Sequence, residues 1–471
     1  MALQIPIVLI LCIESLLLTS CGLIPPEKPA LTVEPYAVFS SNTEYIGVAK
    51  DKIVCIDGVS GELLLTDAAG NVVSTQIVPS EVTIMGEIIC AEEEEEQFYY
   101  FDADGNRLDS SEFARPDMLT DLDGRLNLAR YGDELWGYVD QNGRWVLEPN
   151  YMNPTDFNDG YALVDINQGR DKGIIDENGI FTKIDIFGYP PEGSTFHDSR
   201  LLLQLSYVYI ADKRYTFSTF VTTDGQVLPS EFEAEMYDQF YYNKASDFSC
   251  GLAAVQVKGG KWGYINVDGE CVIEPQFYEA YPFVNNYAIV KTDESSFRLI
   301  DQKGKQVQGP IELEGYSSTG EIADGLFVIV DSNRKKTLAS FTEGVVLRAD
   351  ATLLHFDYPV WETEKGCYIP MTDEFVSGYM ISTCDDAFVI DNGLSCSLRD
   401  INTGEIRTEL PIISPFSEGY AKARNEDGYW GYINSQGEWV IPAQYKSASD
   451  VKNGIAFVDT GEQCGLIKIQ G

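Results

Sequence analysis

Short hydrophobic runs, each followed by a polar turn that contains glycine, recur along most of the chain. In one unit, the turn Asp140–Gly143 joins two such runs, and a third run follows at Tyr161–Val164. Runs of β-branched and aromatic residues around such a turn predict a β-hairpin, in which glycine supplies the positive φ that the turn requires. The short runs are apolar at every position, so both faces of each small sheet must be covered by neighbours. The pattern therefore predicts an all-β chain.

Three segments repeat the same residue types at the same distances from a Trp-Gly pair. The pairs begin at Trp136, Trp262 and Trp430. Counting from each Trp, a Gly follows at offset 7, an aromatic residue at offset 15, Ala at offset 26 and Val at offset 28. Partial copies without the pair continue the pattern at a period near 36 residues. Internal repetition of this kind predicts a fold of stacked units. About ten hairpin or three-strand units would account for most of the chain after residue 60.

The three full copies resemble the WG-repeat family, whose pattern starts with Trp-Gly-Tyr-Ile-Asp and ends with an Ala-x-Val strand. Two positions depart from the pattern: Cys271 stands where the other two copies have Trp145 and Trp439, and Pro442 comes one place earlier than the proline of the other two copies. The resemblance implies a repeat protein of a family that is common in bacterial envelope and secreted proteins. It implies no single activity.

Two architectures suit small sheets that are covered on both faces. A β-propeller-like arrangement is favoured, because the unit length is close to that of a propeller blade and no short rung period is present. An open β-solenoid is the alternative, since each unit would again bury its faces against its neighbours. Uneven spacing between the hairpins predicts degenerate or inserted regions near 182–247 and 308–411.

The N-terminal residues predict an export signal. Residues 1–20 are nearly all apolar and are followed by a cysteine and a proline-rich stretch. Residues 18–21 resemble a bacterial lipobox, which makes Cys21 the predicted lipidation site. An ordinary signal peptide or a short membrane anchor is the alternative. Residues 21–35 would then form the lipidated, extended tether, and residues 36–471 the repeat domain. The predicted location is the extracytoplasmic face of the cell membrane.

The charge of the chain restricts its partners. It contains 74 acidic and 33 basic residues, which give a formal net charge of −41. Nucleic acid is therefore excluded as a partner, and membrane contact is expected only through the N-terminal lipid, because a basic footprint is missing. The cysteines form no Cys-x-x-Cys pair and no cysteine–histidine zinc pattern. Their disulfide pairing stays open at this point.

The residues that most resemble catalytic or metal-binding groups favour structural roles. The two histidines, His197 and His355, have no local nucleophile motif and are interpreted as structural or surface residues. The Asp-rich segments Asp102–Asn106 and Asp121–Gly124 resemble the start of a cation loop. However, their Gly comes fourth, whereas an EF-hand has it sixth, so hairpin turns are predicted. No catalytic residue, metal ligand or cofactor is predicted.

The aromatic residues divide into two groups. Trp136, Trp262 and Trp430 occupy one repeat position, which favours a place in the core over ligand contact. The role of the position shared by Trp145, Cys271 and Trp439 stays open. Outside the repeat pattern, an acidic insertion contains a cluster of aromatic residues that could form an exposed contact patch. This cluster consists of Tyr237, Phe240, Tyr241 and Tyr242.

The sequence favours a binding or scaffold protein that presents its loops to a protein or glycan of the cell envelope. The ligand and the oligomeric state do not follow from it. The alternative is an extracytoplasmic hydrolase of carbohydrate or wall polymers, for which paired carboxylates in a pocket would be the indication. A purely structural role in a larger assembly is a third hypothesis.

Overall fold

The computed structural model describes most of the chain after the N-terminal segment, and every structural statement below concerns the described residues. The predicted signal peptide, Cys21 and most of the predicted tether lie outside them. No helix of this described part has the length and the hydropathy to cross a bilayer. The described residues are 33–93, 97–120, 122, 124–185, 188–210, 213–228, 242–257, 259–323, 326–341, 344–345, 353–357, 360–363, 366–369, 372 and 374–469.

The described chain forms twelve small sheets, of which nine have four strands, two have three and one has two. The all-β prediction is thereby confirmed, and the number of sheets is twelve where about ten units were expected. Two short 3-10 helices, Ser110–Glu112 and Pro116–Met118, lie between sheets 2 and 3. Contacts among the described residues divide the chain into two units. One consists of residues 44–379, and the other combines the residues before 44 with residues 380–471.

The unit of residues 44–379 contains sheets 1 to 9, and strand β1 (Ala37–Phe39) precedes it. Sheets 1 to 3 are β2 (Glu44–Ala49), β3 (Lys52–Ile56), β4 (Leu63–Thr66) and β5 (Val72–Ser74); β6 (Glu81–Met85), β7 (Ile88–Glu93), β8 (Gln97–Phe101) and β9 (Arg107–Leu108); β10 (Asn127–Tyr131), β11 (Leu135–Val139) and β12 (Trp145–Tyr151). Sheets 4 to 6 are β13 (Tyr161–Ile166), β14 (Asp171–Asp176) and β15 (Phe181–Lys183); β16 (Arg200–Ile210) and β17 (Lys213–Thr222); β18 (Lys244–Ala245), β19 (Leu252–Gln256), β20 (Trp262–Asn266) and β21 (Cys271–Phe277). Sheets 7 to 9 are β22 (Glu279–Ala280), β23 (Tyr287–Lys291), β24 (Ser296–Asp301) and β25 (Gln306–Glu312); β26 (Ser317–Ala323), β27 (Leu326–Val330), β28 (Lys336–Ser340) and β29 (Gly344–Val345); β30 (Leu353–Asp357), β31 (Val360–Thr363), β32 (Gly366–Ile369) and β33 (Glu374–Val376).

The second unit contains sheets 10 to 12. Sheets 10 and 11 are β34 (Tyr379–Cys384), β35 (Ala387–Asp391), β36 (Cys396–Asp400) and β37 (Ile406–Leu410); β38 (Ile412–Ile413), β39 (Tyr420–Arg424), β40 (Trp430–Asn434) and β41 (Trp439–Tyr445). Sheet 12 is β42 (Ser447–Ala448), β43 (Ile455–Asp459) and β44 (Cys464–Lys468), with β1 as its fourth strand.

The hydrophobic core lies between consecutive sheets of each unit. The core between sheets 6 and 7, for example, joins Tyr264 and Phe277 of sheet 6 to Val290 and Ile300 of sheet 7. The second strand of sheet 6, β19, is buried at four consecutive positions, because its two faces pack against different neighbours. Small antiparallel sheets stacked in this way are the arrangement of propeller blades, and this favours the propeller-like prediction over the open solenoid.

The N-terminal strand β1 completes sheet 12. It runs antiparallel to β44, with Ala37 opposite Leu466 and Phe39 opposite Cys464. The backbone N–H of Tyr36 donates a hydrogen bond of 2.9 Å to the carbonyl oxygen of Leu466. Sheet 12 therefore joins the beginning of the described chain to its end.

The sequence repeat and the sheet are out of phase. A repeat that starts at Trp262 supplies β20 and β21, the last two strands of sheet 6, and then β22 and β23, the first two strands of sheet 7. The repeat that starts at Trp430 relates to sheets 11 and 12 in the same way. Each full repeat therefore links two sheets.

The glycine of each Trp-Gly pair lies where the last strand of a sheet bulges. In sheet 6, Trp262 pairs with Phe277, but Tyr264 pairs with Ile273, so the pairing moves two residues along β20 and four along β21. A Cβ added to Gly263 would lie 2.5 Å from the carbonyl oxygen of Ile273. Only glycine fits this backbone approach. The same register shift and close approach occur at Gly137 and Gly431.

A buried tyrosine two positions after each Trp ties one sheet to the next. The Tyr138, Tyr264 and Tyr432 side chains are 0% exposed. Their hydroxyl groups donate hydrogen bonds of 2.8–2.9 Å to backbone carbonyl oxygens seventeen residues later, at the start of the following sheet. Burial raises the pKa of the Tyr138 and Tyr264 phenols, so these hydroxyls stay protonated donors. The three acceptors are Thr155, Tyr281 and Ser449.

A groove beside Trp262 as the candidate functional site

A groove of about 570 Å³ lies at the boundary of sheets 6 and 7. Two aromatic side chains at its wall, Trp262 and Tyr278, differ in exposure. The Trp262 indole is half-buried and packs against the core between the two sheets, whereas the Tyr278 ring is 42% exposed. Polar side chains that line the groove are Lys244, Ser246, Gln256 and Glu279.

The register of sheet 6 creates the groove. Because Trp262 at the start of β20 pairs with Phe277 at the end of β21, the residues that follow Phe277 come next to Trp262. Tyr278 and Glu279 are these residues, and Glu279 begins β22 of sheet 7. The groove therefore forms where the chain passes from one sheet to the next.

A buried lysine and a tyrosine hold the Glu279 carboxylate. The Tyr281 hydroxyl donates a hydrogen bond to this carboxylate and accepts one of 2.9 Å from the backbone N–H of Ser318. Burial, and then the Glu279 hydrogen bond, raise the pKa of the Tyr281 phenol. Lys291, directly across from Glu279 in the sheet, is 4% exposed, and its Nζ lies 3.7 Å from a Glu279 oxygen.

The ammonium group of Lys291 has a further partner. Its Nζ donates a hydrogen bond of 3.0 Å to the backbone carbonyl oxygen of Tyr316. A buried charge is tolerated only when it is paired and hydrogen-bonded. Lys291 meets both conditions, so it forms a fixed positive support beneath Glu279.

The corresponding positions of the other repeats carry different chemistry. In the first full repeat, Asn153 and Asp165 replace the Glu279–Lys291 pair, and the Asn153 amide donates a hydrogen bond of 2.9 Å to Asp165. In the last, Ser447 and Asp459 occupy these positions. The carboxylate–lysine pair at these two positions is thus specific to the groove beside Trp262, whereas the Trp, Gly and Tyr framework is shared.

Two other cavities each have one aromatic side chain in their wall, whereas the groove has both Trp262 and Tyr278. One of about 490 Å³ lies at sheet 2, where Arg115 forms an ion pair of 2.9 Å with Asp117. Burial raises the pKa of Cys90 in its wall to about 12, so this thiol stays protonated. In another, of about 300 Å³, the ammonium group of Lys172 lies over one face of the Tyr189 ring, 3.7 Å from the ring centre, and this tyrosine is 51% exposed.

The structure places the predicted histidines and the aromatic cluster outside this groove. His197 is half-buried, with Nε2 3.4 Å from the Thr195 hydroxyl; the side chain of His355 lies outside the described residues. The predicted aromatic patch is wrong for Tyr242, which is 1% exposed because it packs in a core with Phe220. The other three members, Tyr237, Phe240 and Tyr241, lie outside the described residues.

The Asp102–Asn106 segment forms a hairpin turn. Asp102 Oδ1 accepts hydrogen bonds from the backbone N–H groups of Asp104, at 2.9 Å, and Asn106, at 2.8 Å. The carboxylate is therefore used by the turn itself. Asp121 and Asp123 of the second Asp-rich segment lie outside the described residues. In the described part of the chain, no three His, Cys, Asp or Glu side chains form a group that could hold a metal ion.

The core role predicted for the three repeat tryptophans is wrong in one respect. Trp136, Trp262 and Trp430 are only half-buried, and the tyrosine two positions later takes the fully buried place. At the repeat position whose role was open, Trp145 and Trp439 are also half-buried, and both pack against the core.

Sequence reasoning missed the polar part of the groove. Tyr278, Glu279 and Lys291 occupy positions at which the repeats differ, and the Trp-Gly pattern gives no weight to such positions. A comparison of the copies that looked for differences would have found the Glu279–Lys291 pair. Tyr281 follows Glu279 two residues later in the chain, whereas Tyr316 comes next to Lys291 only through the stacking of sheets 7 and 8.

Solved structures that resemble this chain do so only weakly. A crystal structure of the eukaryotic initiation factor is 12% identical, with a TM-score of 0.36, over 70% of this chain and 90% of that one. BamB from Moraxella catarrhalis is 12% identical, with a TM-score of 0.23, over 74% and 94%. AztD from Citrobacter koseri is 11% identical, with a TM-score of 0.26, over 76% and 91%. No curated protein matches the sequence. Because these values are low, the function must be argued from the residues of this chain.

A family model identifies the repeats. The model described as "WG containing repeat" matches residues 136–168, 239–262, 262–294 and 430–463. Three of these segments are the full copies that the Trp-Gly pattern predicted, and the fourth supplies the first two strands of sheet 6. The chain therefore contains WG repeats at four places, three of which its sequence pattern predicted.

Proposed function

We propose that this chain is a binding or scaffold protein, held by a lipid on Cys21 at the extracytoplasmic face of a cell membrane, with a protein or glycan of the envelope as its ligand. The observation that carries the binding role is the groove beside Trp262. It combines an exposed aromatic ring with a carboxylate whose position is fixed by a buried lysine. Binding sites typically have this composition, with aromatic walls and a few positioned polar groups.

The charge of the chain supports a partner that is neither nucleic acid nor a lipid surface. A net charge of −41 repels both and keeps the protein soluble. The stacked sheets support a scaffold role, because cores between consecutive sheets make a stiff body that holds its turns in fixed places. The apolar segment before Cys21 supports export, and the following prolines support a tether.

The lipid anchor leads to a first prediction. In Cys21→Ser, the residue that would receive the diacylglycerol is lost, and a serine hydroxyl does not replace the thiol in this modification. We expect the variant to leave the membrane fraction, whereas wild type stays in it, as measured by fractionation and immunoblotting. Cys12→Ser, in the same apolar segment, is the matched control and should remain with the membrane. Membrane association of Cys21→Ser equal to wild type would contradict the anchor.

The binding role is tested by affinity capture from native envelope with the full, lipid-anchored chain as bait. We expect a protein or glycan to be enriched over a bait-free control, and to be retained at physiological salt. A partner retained at low salt but lost at physiological salt would indicate non-specific attraction to the acidic surface. Recovery of no partner, together with hydrolysis of a glycan panel by the purified chain, would overturn the proposal in favour of an enzyme.

A further inference from the structure

We propose that the groove beside Trp262 binds an uncharged carbohydrate chain. This inference rests on the proposed binding function and names the ligand class for one site. Three properties of the groove support it: its aromatic surfaces, its charge balance and its positioned hydrogen-bonding groups.

The aromatic surfaces suit sugar rings. The Tyr278 ring is 42% exposed, and the Trp262 indole presents its accessible part to the same groove. Such rings combine a flat apolar face with a polar edge, so they contact a ligand that has both C–H and O–H groups. The Lys291 ammonium is 5.5 Å from the Tyr278 ring centre, on a side chain that is 4% exposed. The exposed part of this ring therefore remains available.

The charge balance argues against a charged ligand. Lys291, which is buried and does not line the groove, compensates the charge of Glu279 in its wall, and Lys244 at the rim is exposed. A cationic ligand would meet the exposed ammonium group of Lys244 and a Glu279 carboxylate whose charge Lys291 already compensates. An anionic ligand would be opposed by the net charge of −41 during its approach. A neutral ligand meets neither obstacle.

The hydrogen-bonding groups suit hydroxyls. A carboxylate offers roughly four acceptor positions; the Tyr281 hydroxyl uses one of those of Glu279, and Lys291 is an ion partner at 3.7 Å. The remaining positions can accept from ligand hydroxyls, and the Gln256 side chain lines the same groove. The groove volume of about 570 Å³ lies within the range of known ligand sites, about 300 to 1,000 Å³.

The test uses the purified full chain and two neutral oligosaccharides, cellohexaose and chitohexaose, with binding followed by calorimetry and tryptophan fluorescence. We expect Tyr278→Ala to weaken binding by about tenfold, as expected for the loss of one stacking ring. Tyr287→Ala is the matched control, because Tyr287 is also 42% exposed, lies in neighbouring β23 and does not line the groove. Its affinity should stay within about twofold of wild type. Trp262→Phe should remove the fluorescence response.

The possible results distinguish an error in the proposed site or ligand class from an error in the proposed binding function. Equal affinities of wild type, Tyr278→Ala and Tyr287→Ala would overturn the groove as the site, although a binding function would stand. Binding of charged oligosaccharides only, or of none while envelope capture recovers a protein, would overturn the carbohydrate inference alone. Failure of both oligosaccharide binding and envelope capture would remove the proposed function as well.

Discussion

Gly263→Ala is expected to destabilise the unit of residues 44–379 by about 3 kcal/mol or more, because overpacking against rigid atoms is expensive. The new Cβ would lie 2.5 Å from the Ile273 carbonyl oxygen and 2.8 Å from the Pro275 nitrogen. Both atoms belong to backbone, so no side-chain rotation relieves the clash. The β21 bulge would have to open, and the core between sheets 6 and 7 would open with it. Guanidinium denaturation and amide hydrogen exchange of residues 262–277 measure the effect.

Gly259→Ala is the control for this substitution. Gly259 has a positive φ of 89°, but an added Cβ meets nothing within 4 Å. Its cost should be only the left-handed backbone penalty of about 1–2 kcal/mol. A denaturation midpoint of Gly263→Ala at or above that of Gly259→Ala would show that the bulge yields easily. The proposed reason for the Trp-Gly pair would then be wrong.

Removal of β1 is expected to open sheet 12. A chain that starts at Glu44 lacks the strand that covers β44, together with the Val33 carbonyl oxygen that accepts a hydrogen bond of 2.8 Å from the Tyr445 hydroxyl. At about 1 kcal/mol for each lost hydrogen bond, the unit should lose roughly 3 kcal/mol or more. The uncovered strand is also a new pairing edge, so the shortened chain should aggregate more readily.

Cys464 in β44 reports this change directly. It is 3% exposed, and burial raises the pKa of its thiol, so it should react slowly with alkylating reagents in wild type. In the chain that starts at Glu44, we expect the alkylation rate of this residue to rise at least about tenfold, as followed by mass spectrometry. A chain that starts at Val33 keeps β1 and serves as the control. Equal rates in the two shortened chains would mean that β1 does not protect β44.

The fold could be predicted from the sequence where its physical cause is local. Runs that are apolar at every position require sheets covered on both faces, and the cores between consecutive sheets meet this requirement. The count of sheets could not be predicted in the same way. Residues 317–410 form three four-stranded sheets but lack the Trp-Gly pair. In sheets 8 and 9, the described pairings of the last strand contain no register shift, so the bulge that requires a Trp-Gly pair is absent there.

The candidate site could not be predicted, because it depends on register and stacking. Trp262 and Tyr278 lie in the same groove only because the pairing advances four residues along β21 for two residues along β20. Lys291 is buried because its neighbours on sheets 7 and 8 supply a carboxylate and a carbonyl oxygen. Tyr242 shows the opposite limit, since a polar and acidic sequence context predicted exposure, whereas its place in a core, edge-to-face with Phe220, buries the ring.

The phase difference between the repeat and the sheet determines how such an array can change in length. Since one repeat ends halfway through a sheet, duplication of a whole repeat gives two strands to the sheet before the junction and two to the sheet after it. Every sheet then remains complete, and no bare edge arises at the junction. Growth or loss by whole repeats is therefore structurally neutral at the joins, whereas a change by half a repeat leaves one sheet without its partner strands.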